Sequence, residues 1–130
     1  MSACAQAKLG VPDTAMDSLI FRIAAPEALA AASVQGHYEG EAHDKADGFI
    51  HCSAKAQIEG TLLAHYADAQ KLAIAQIDTA LLGDTLKWEA SRGGQMFPHI
   101  YGVLPWSAVQ AVYLITKDED AWRLPQELAV

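Results

Sequence analysis

Two glycine-punctuated segments concentrate chemistry-capable side chains in a chain otherwise rich in Ala, Leu and Ile. The first is Asp47-Gly48-Phe49-Ile50-His51-Cys52-Ser53. The second runs from Trp88-Glu89 through Ser91-Arg92-Gly93-Gly94 to Phe97-Pro98-His99-Ile100-Tyr101-Gly102. His51 and His99 are acid–base groups that titrate near neutral pH. Glu89 is a carboxylate at the mouth of a glycine loop. Arg92 has the fork that binds a phosphate. Gly93 and Gly94 let backbone N–H groups approach an anion or a hydroxyl. Ser53 can bond a ligand hydroxyl, and Tyr101 can stack on a flat heterocycle. Together they suit the holding and polarising of one small polar molecule.

The elements that must carry these residues follow from periodicity. Leu19 to Ile23 reads as a first strand. Pro26 opens and Gly36 closes a short helix. His37 to Asp47 is polar and reads as a loop. Phe49 to Ser53 is a second strand, and Ser53 is placed to cap a helix running to Tyr66. Ile58, Leu62 and Tyr66 form the buried stripe of that helix. Strands follow at Lys71 to Asp78 and Leu86 to Ala90, then a loop at Ser91 to Met96. Pro98 to Gly102 is extended, Pro105 to Val109 is one helical turn, and Val109 to Thr116 is the last strand. Few helices and many strands predict an α+β fold with a mostly antiparallel or mixed sheet.

Strand parity sorts the side chains. Ile50 and Cys52 should face a core, with His51 and Ser53 together on the other face. Trp88 should face inward with Glu89 opposite. His99 and Tyr101 share a face, with Ile100 inward. A plainer reading stays open at each point: a structural histidine, a Glu89–Arg92 surface ion pair, and packing residues after Pro98. A His51/Cys52 thiol catalyst is disfavoured because strand neighbours face opposite ways. His37, His43, His51, His65 and His99 show no HxxxH or CxxC spacing, so no metal is predicted. Neither a Rossmann nor a P-loop fingerprint occurs.

The 130 residues suit one domain, with residues 1–17 as a flexible extension and 18–130 as the folded unit. No apolar run reaches membrane-spanning length and no secretory signal is evident. Cys4 and Cys52 are read as reduced thiols, and the protein as cytoplasmic. A formal charge of -7, with 9 basic against 16 acidic residues, argues against nucleic acid and for a small-molecule partner. The sequence leaves the oligomeric state open.

These motifs resemble a family of small bacterial domains of unknown function grouped with the ADP-ribosyltransferase-like fold. The resemblance rests on the two segments above with Leu82-Gly83 and Leu104-Pro105, and spans about Leu19 to Thr116. It implies a split, strongly bent sheet with a few short helices and NAD in the cleft, as a substrate. By position it makes Arg22 the first-strand basic residue and His51 and Ser53 the second-strand group. Glu89, Arg92, His99 and Tyr101 are its candidates for contacting the ribose, the acceptor or the ring. It therefore implies His51, Glu89 and His99 as catalytic, and Arg22, Ser53, Arg92, Gly93, Gly94 and Tyr101 as ligand-binding. ADP-ribosyl transfer or NAD cleavage is the implied activity. The alternative is an inactive ligand-sensing or protein-interaction domain. The family's usual His-Tyr-Glu or Arg-Ser-Glu series is missing, and three arginines in total make an RNA-phosphotransferase variant a poor fit.

Overall fold

In the computed structural model, which describes residues 18–128, the first apolar run forms β1 (Leu19–Ala24). Its parity serves two cores at once. Ile20 and Ala24 enter one apolar cluster, and Phe21 and Ile23 enter another. The helix α1 (Pro26–Gln35) begins with Pro at its first turn and stops at Gly36, whose φ of 91° suits a residue without Cβ. The segments β2 (His37–Tyr38), α2 (Ala42–Asp47) and β3 (Ile50–His51) follow. Next come α3 (Ile58–His65), β4 (Lys71–Asp78), β5 (Leu86–Ala90) and β6 (Met96–Ile100). The chain closes with β7 (Leu104–Pro105), β8 (Val109–Asp118) and β9 (Ala121–Trp122).

The architecture is α+β, and every strand pair is antiparallel. The larger sheet has the order β1-β4-β8-β9, a second has β3-β6-β5, and β2 pairs with β7. One isolated bridge joins the two larger sheets. Phe21 and Ser53 exchange both backbone hydrogen bonds at 2.8 Å. The sheet is thus curled and split, and of the two forms left open by the sequence it takes the antiparallel one. The central strand β4 is apolar on both faces. Leu72 and Ile74 pack with Ile58 and Leu62 of α3, while Ala73, Ala75 and Ile77 pack with Leu29 and Ala32 of α1. Burial of each large aliphatic side chain here contributes about 1.5–3 kcal/mol.

Two local expectations are corrected. The segment expected to be a loop, residues 37–47, holds β2 and α2. Glu41 is the N-cap residue of α2, and its backbone N–H donates to the Asp44 carboxylate, half of a capping box built on acidic residues. Ser53 does not cap the next helix, because its hydroxyl pairs with Thr61 and α3 starts only after Gln57. The chain instead makes a 3-10 turn, Lys55–Gln57, in which the Ala54 N–H donates to Gln57 Oε1 at 2.8 Å. Residues 1–17, expected to be an extension, lie outside the described residues. No described helix is long and apolar enough to cross a membrane.

Candidate functional site

The site grows from the short segment that parity alone could not resolve. Gly40 ends its loop at φ 91°, and a Cβ there would lie 2.8 Å from Asp44 Cβ. That close approach brings Asp44, three residues into α2, beneath β1 and β3. Asp44 is 1% exposed and its oxygens are crowded with donors. Oδ1 accepts from Arg22 Nη1 at 2.7 Å, from the His51 backbone N–H at 2.9 Å and from His51 Nδ1 at 2.7 Å. Oδ2 accepts from Arg22 Nη2 and from the Glu41 backbone N–H, both at 2.6 Å. Burial opposes ionisation of Asp44, but the hydrogen bonds from His51 and Arg22 overcome it and hold the carboxyl well below its usual range.

Arg22 is equally buried. Besides Asp44, its guanidinium donates to the His51 carbonyl at 2.8 Å and lies 5.4 Å from the Tyr38 ring centre. Desolvation works against its charge, but Tyr38 and Asp44 offset this and keep it a cation. Burial pushes the Tyr38 hydroxyl up, and that hydroxyl donates to Glu41 Oε2 at 3.1 Å.

His51 lies between two carboxylates. Nδ1 meets Asp44, and Nε2 meets Asp47 Oδ2 at 2.8 Å. A neutral imidazole has one N–H, so donating to both carboxylates requires the imidazolium. The bond to Asp44 raises the His51 pKa; burial opposes that shift, and Asp47 reinforces it.

Across the strand pair, His51 is the direct partner of His99, and their ring centres are 5.7 Å apart. His99 is nearly buried and stacks on Phe49 at 4.0 Å between centres. Its Nδ1 donates to Glu89 Oε1 at 2.7 Å. The Tyr101 hydroxyl donates to the same oxygen at 2.8 Å. These two bonds lower the Glu89 pKa, and the bond to Glu89 raises that of Tyr101. The carboxylate fixes the ring orientation of His99 and makes Nε2 the acceptor nitrogen of the neutral ring.

A cavity of about 530 Å³ opens between the two sheets against these groups. Four of the chain's five histidines line it: His43, His51, His65 and His99. Arg22, Ser53, Glu41 and Asp47 also contribute, with Tyr66 and Phe97 as aromatic walls. The Ser53 and Thr61 hydroxyls pair at 3.1 Å on its lining. Cys52 is also on the wall, but burial pushes its thiol up to about 12, so it is a poor nucleophile.

Of the residues singled out from the sequence, Arg22, His51, Ser53 and His99 are on the cavity. Glu89 and Tyr101 stand behind His99 and do not line it. Gly93 and Gly94 form a 3-10 turn with φ of 67° and 81°, also off the lining. The side chain of Arg92 lies outside the described part. Sequence reasoning missed Asp44 and Glu41, gave Asp47 no role and weighed His43 only as a metal ligand. The pattern Gly40-Glu41-x-x-Asp44 ending at Gly48 is the signal that would have found α2. Ligand atoms of His43, Asp44 and His51 lie within 4.8 Å of one another. Arg22 binds both oxygens of that carboxylate, so a metal there would sit against a guanidinium, and the donor set fits an ion-pair network better.

Comparison with known proteins agrees with the fold. The family described as "Protein of unknown function (DUF952)" matches residues 23–112. The crystal structure of protein CC0527 from Caulobacter crescentus is 40% identical, with a TM-score of 0.79 over 86% of this chain and 99% of that one. The solution NMR structure of CC0527 is also 40% identical, with a TM-score of 0.72 over 82% and 91% of the two chains. No curated protein matches the chain.

Proposed function

The chain belongs to the DUF952 family of proteins of unknown function, and on that premise we propose that its cavity binds a nucleotide-like small molecule of the NAD or ADP-ribose class. The observation that carries this reading is the cross-strand pair His51 and His99, each held by its own carboxylate on the wall of one cavity. The volume of about 530 Å³ falls within the roughly 300–1,000 Å³ of small-molecule sites. His99 Nε2 accepts from a ligand hydroxyl such as that of a ribose. Tyr66 and Phe97 offer flat apolar surface to a heterocycle. Glu41 and Asp47 supply negative charge where a bond to ribose would break through a cationic transition state. Glu89 acts on such a ligand through His99, as a positioning residue. ADP-ribosyl transfer or NAD cleavage is the activity consistent with that arrangement.

A second reading, a ligand sensor without catalysis, is favoured by one observation. Both ring nitrogens of His51 are already engaged, which suits a fixed charge better than a proton carrier. Calorimetry with NAD, ADP-ribose and nicotinamide at millimolar concentration tests both. Binding with release of nicotinamide supports the enzyme, and binding without release supports the sensor. His99→Ala should weaken either by at least tenfold in protein that its unfolding curve shows to be folded, with some loss of stability because the ring is buried against Phe49. No heat from any of the three compounds would overturn the nucleotide reading.

A further inference from the structure

We propose that the outer edge of β8 is the interface through which two copies of this chain pair, strand against strand, about a two-fold axis at Tyr113. The inner edge of β8 is paired with β4 along its length, whereas β9 and the residue after it cover the outer edge from Thr116 to Asp118. No other described element runs alongside it. The residues from Val109 to Ile115 therefore present an open strand edge, a template for pairing with another chain.

Two backbone hydrogen bonds establish which residues face outward. The Lys117 N–H donates inward to the Gln70 carbonyl, and the Thr116 carbonyl accepts from Arg123 N–H on the outer side. With a period of two, Leu114 and Val112 direct their N–H and C=O groups outward as Thr116 does. These two residues also have exposed side chains, 69% and 41%. The same positions thus combine unpaired backbone groups with exposed apolar surface.

The occupant that fits is a second copy. An antiparallel edge is complementary to itself under two-fold symmetry. A two-fold at Tyr113 places Val112 of one copy opposite Leu114 of the other, twice. Both residues are outward, so each pair exchanges hydrogen bonds, and the four side chains form one apolar cluster. No charge occurs between Val109 and Thr116 to oppose this register. The blocking devices of natural edges, Lys, Pro or an inward charge, are missing from the stretch. The bulge between Gln76 and Ile77 lies near the start of β8, outside the Val112–Leu114 contact. No β8 residue lines the cavity, so pairing leaves the site open, and the interface stands or falls independently of the ligand.

Light scattering and sedimentation across a concentration series test the inference. The wild type should approach twice the 13.9 kDa of one chain as concentration rises. Val112→Lys or Leu114→Glu alone should raise the dissociation constant at least tenfold. Combined in one chain, they place Lys opposite Glu across the axis twice and should restore pairing. Both side chains are exposed, so each variant should keep the wild-type unfolding curve, measured in parallel. A wild type that stays at the mass of one chain throughout would overturn the proposal. So would a dimer that both single variants leave intact.

Discussion

Asp44 does more in this molecule than any residue of the two conspicuous segments. It accepts from a first-strand arginine, from the backbone and ring of His51, and from the cap of its own helix. Removing its charge would leave Arg22 buried without a counter-ion. Asp44→Asn should therefore cost about 3–5 kcal/mol of stability, read from urea unfolding. A loss below 1 kcal/mol would mean that Arg22 relaxes to another partner. Asp44 and His51 together give stability two pH limits. The pKa of Asp44 is lowered by folding, so its contribution is present above the unfolded carboxylate value of about 3.9 and lost as pH falls through the folded value. The pKa of His51 is raised, so its contribution is complete below the unfolded value of about 6.5 and lost as pH rises through the folded one. The stability advantage of wild type over His51→Gln should accordingly shrink on the alkaline side. An advantage that grows with pH would show that the imidazolium is not the folded form.

At the scale of elements, the β8–β9 hairpin turns through two non-glycine residues with positive φ, Glu119 at 52° and Asp120 at 69°. A left-handed backbone costs an L-residue about 1–2 kcal/mol, and glycine costs about 0.5–1 kcal/mol in chain entropy. Asp120→Gly should therefore stabilise by about 0.5–1 kcal/mol in chemical denaturation, and a loss would contradict the turn geometry. The strand starts were legible in the sequence: β1, β4, β5 and β8 begin at Leu19, Lys71, Leu86 and Val109 as read there. Pro26 and Gly36 likewise bracket α1. The helix α2 was not legible, because its cap is a glutamate and it has no apolar stripe. Its reason for existing is Arg22, 22 residues away, a contact that no local pattern encodes. Parity placed His51 with Ser53 and His99 with Tyr101, but it could not say that Glu89 would stand behind His99. That depends on the register of β5 against β6, in which Glu89 pairs with Phe97.

For the whole molecule, the decisive arrangement is that the cavity has one wall from each sheet. Arg22 and Ile23 come from β1, while His51 and His99 come from β3 and β6. Among the described residues the backbones of those walls meet at one isolated bridge, Phe21 with Ser53, beside the Arg22 side-chain bond to the His51 carbonyl. A ligand that fits leaves that rung slack, and one too wide puts it in tension together with the Arg22–His51 bond. Its two amide protons are thus a gauge of occupancy. Their exchange with solvent slows when the cavity is filled well and quickens when it is forced, without a label on the ligand or a change to the histidines.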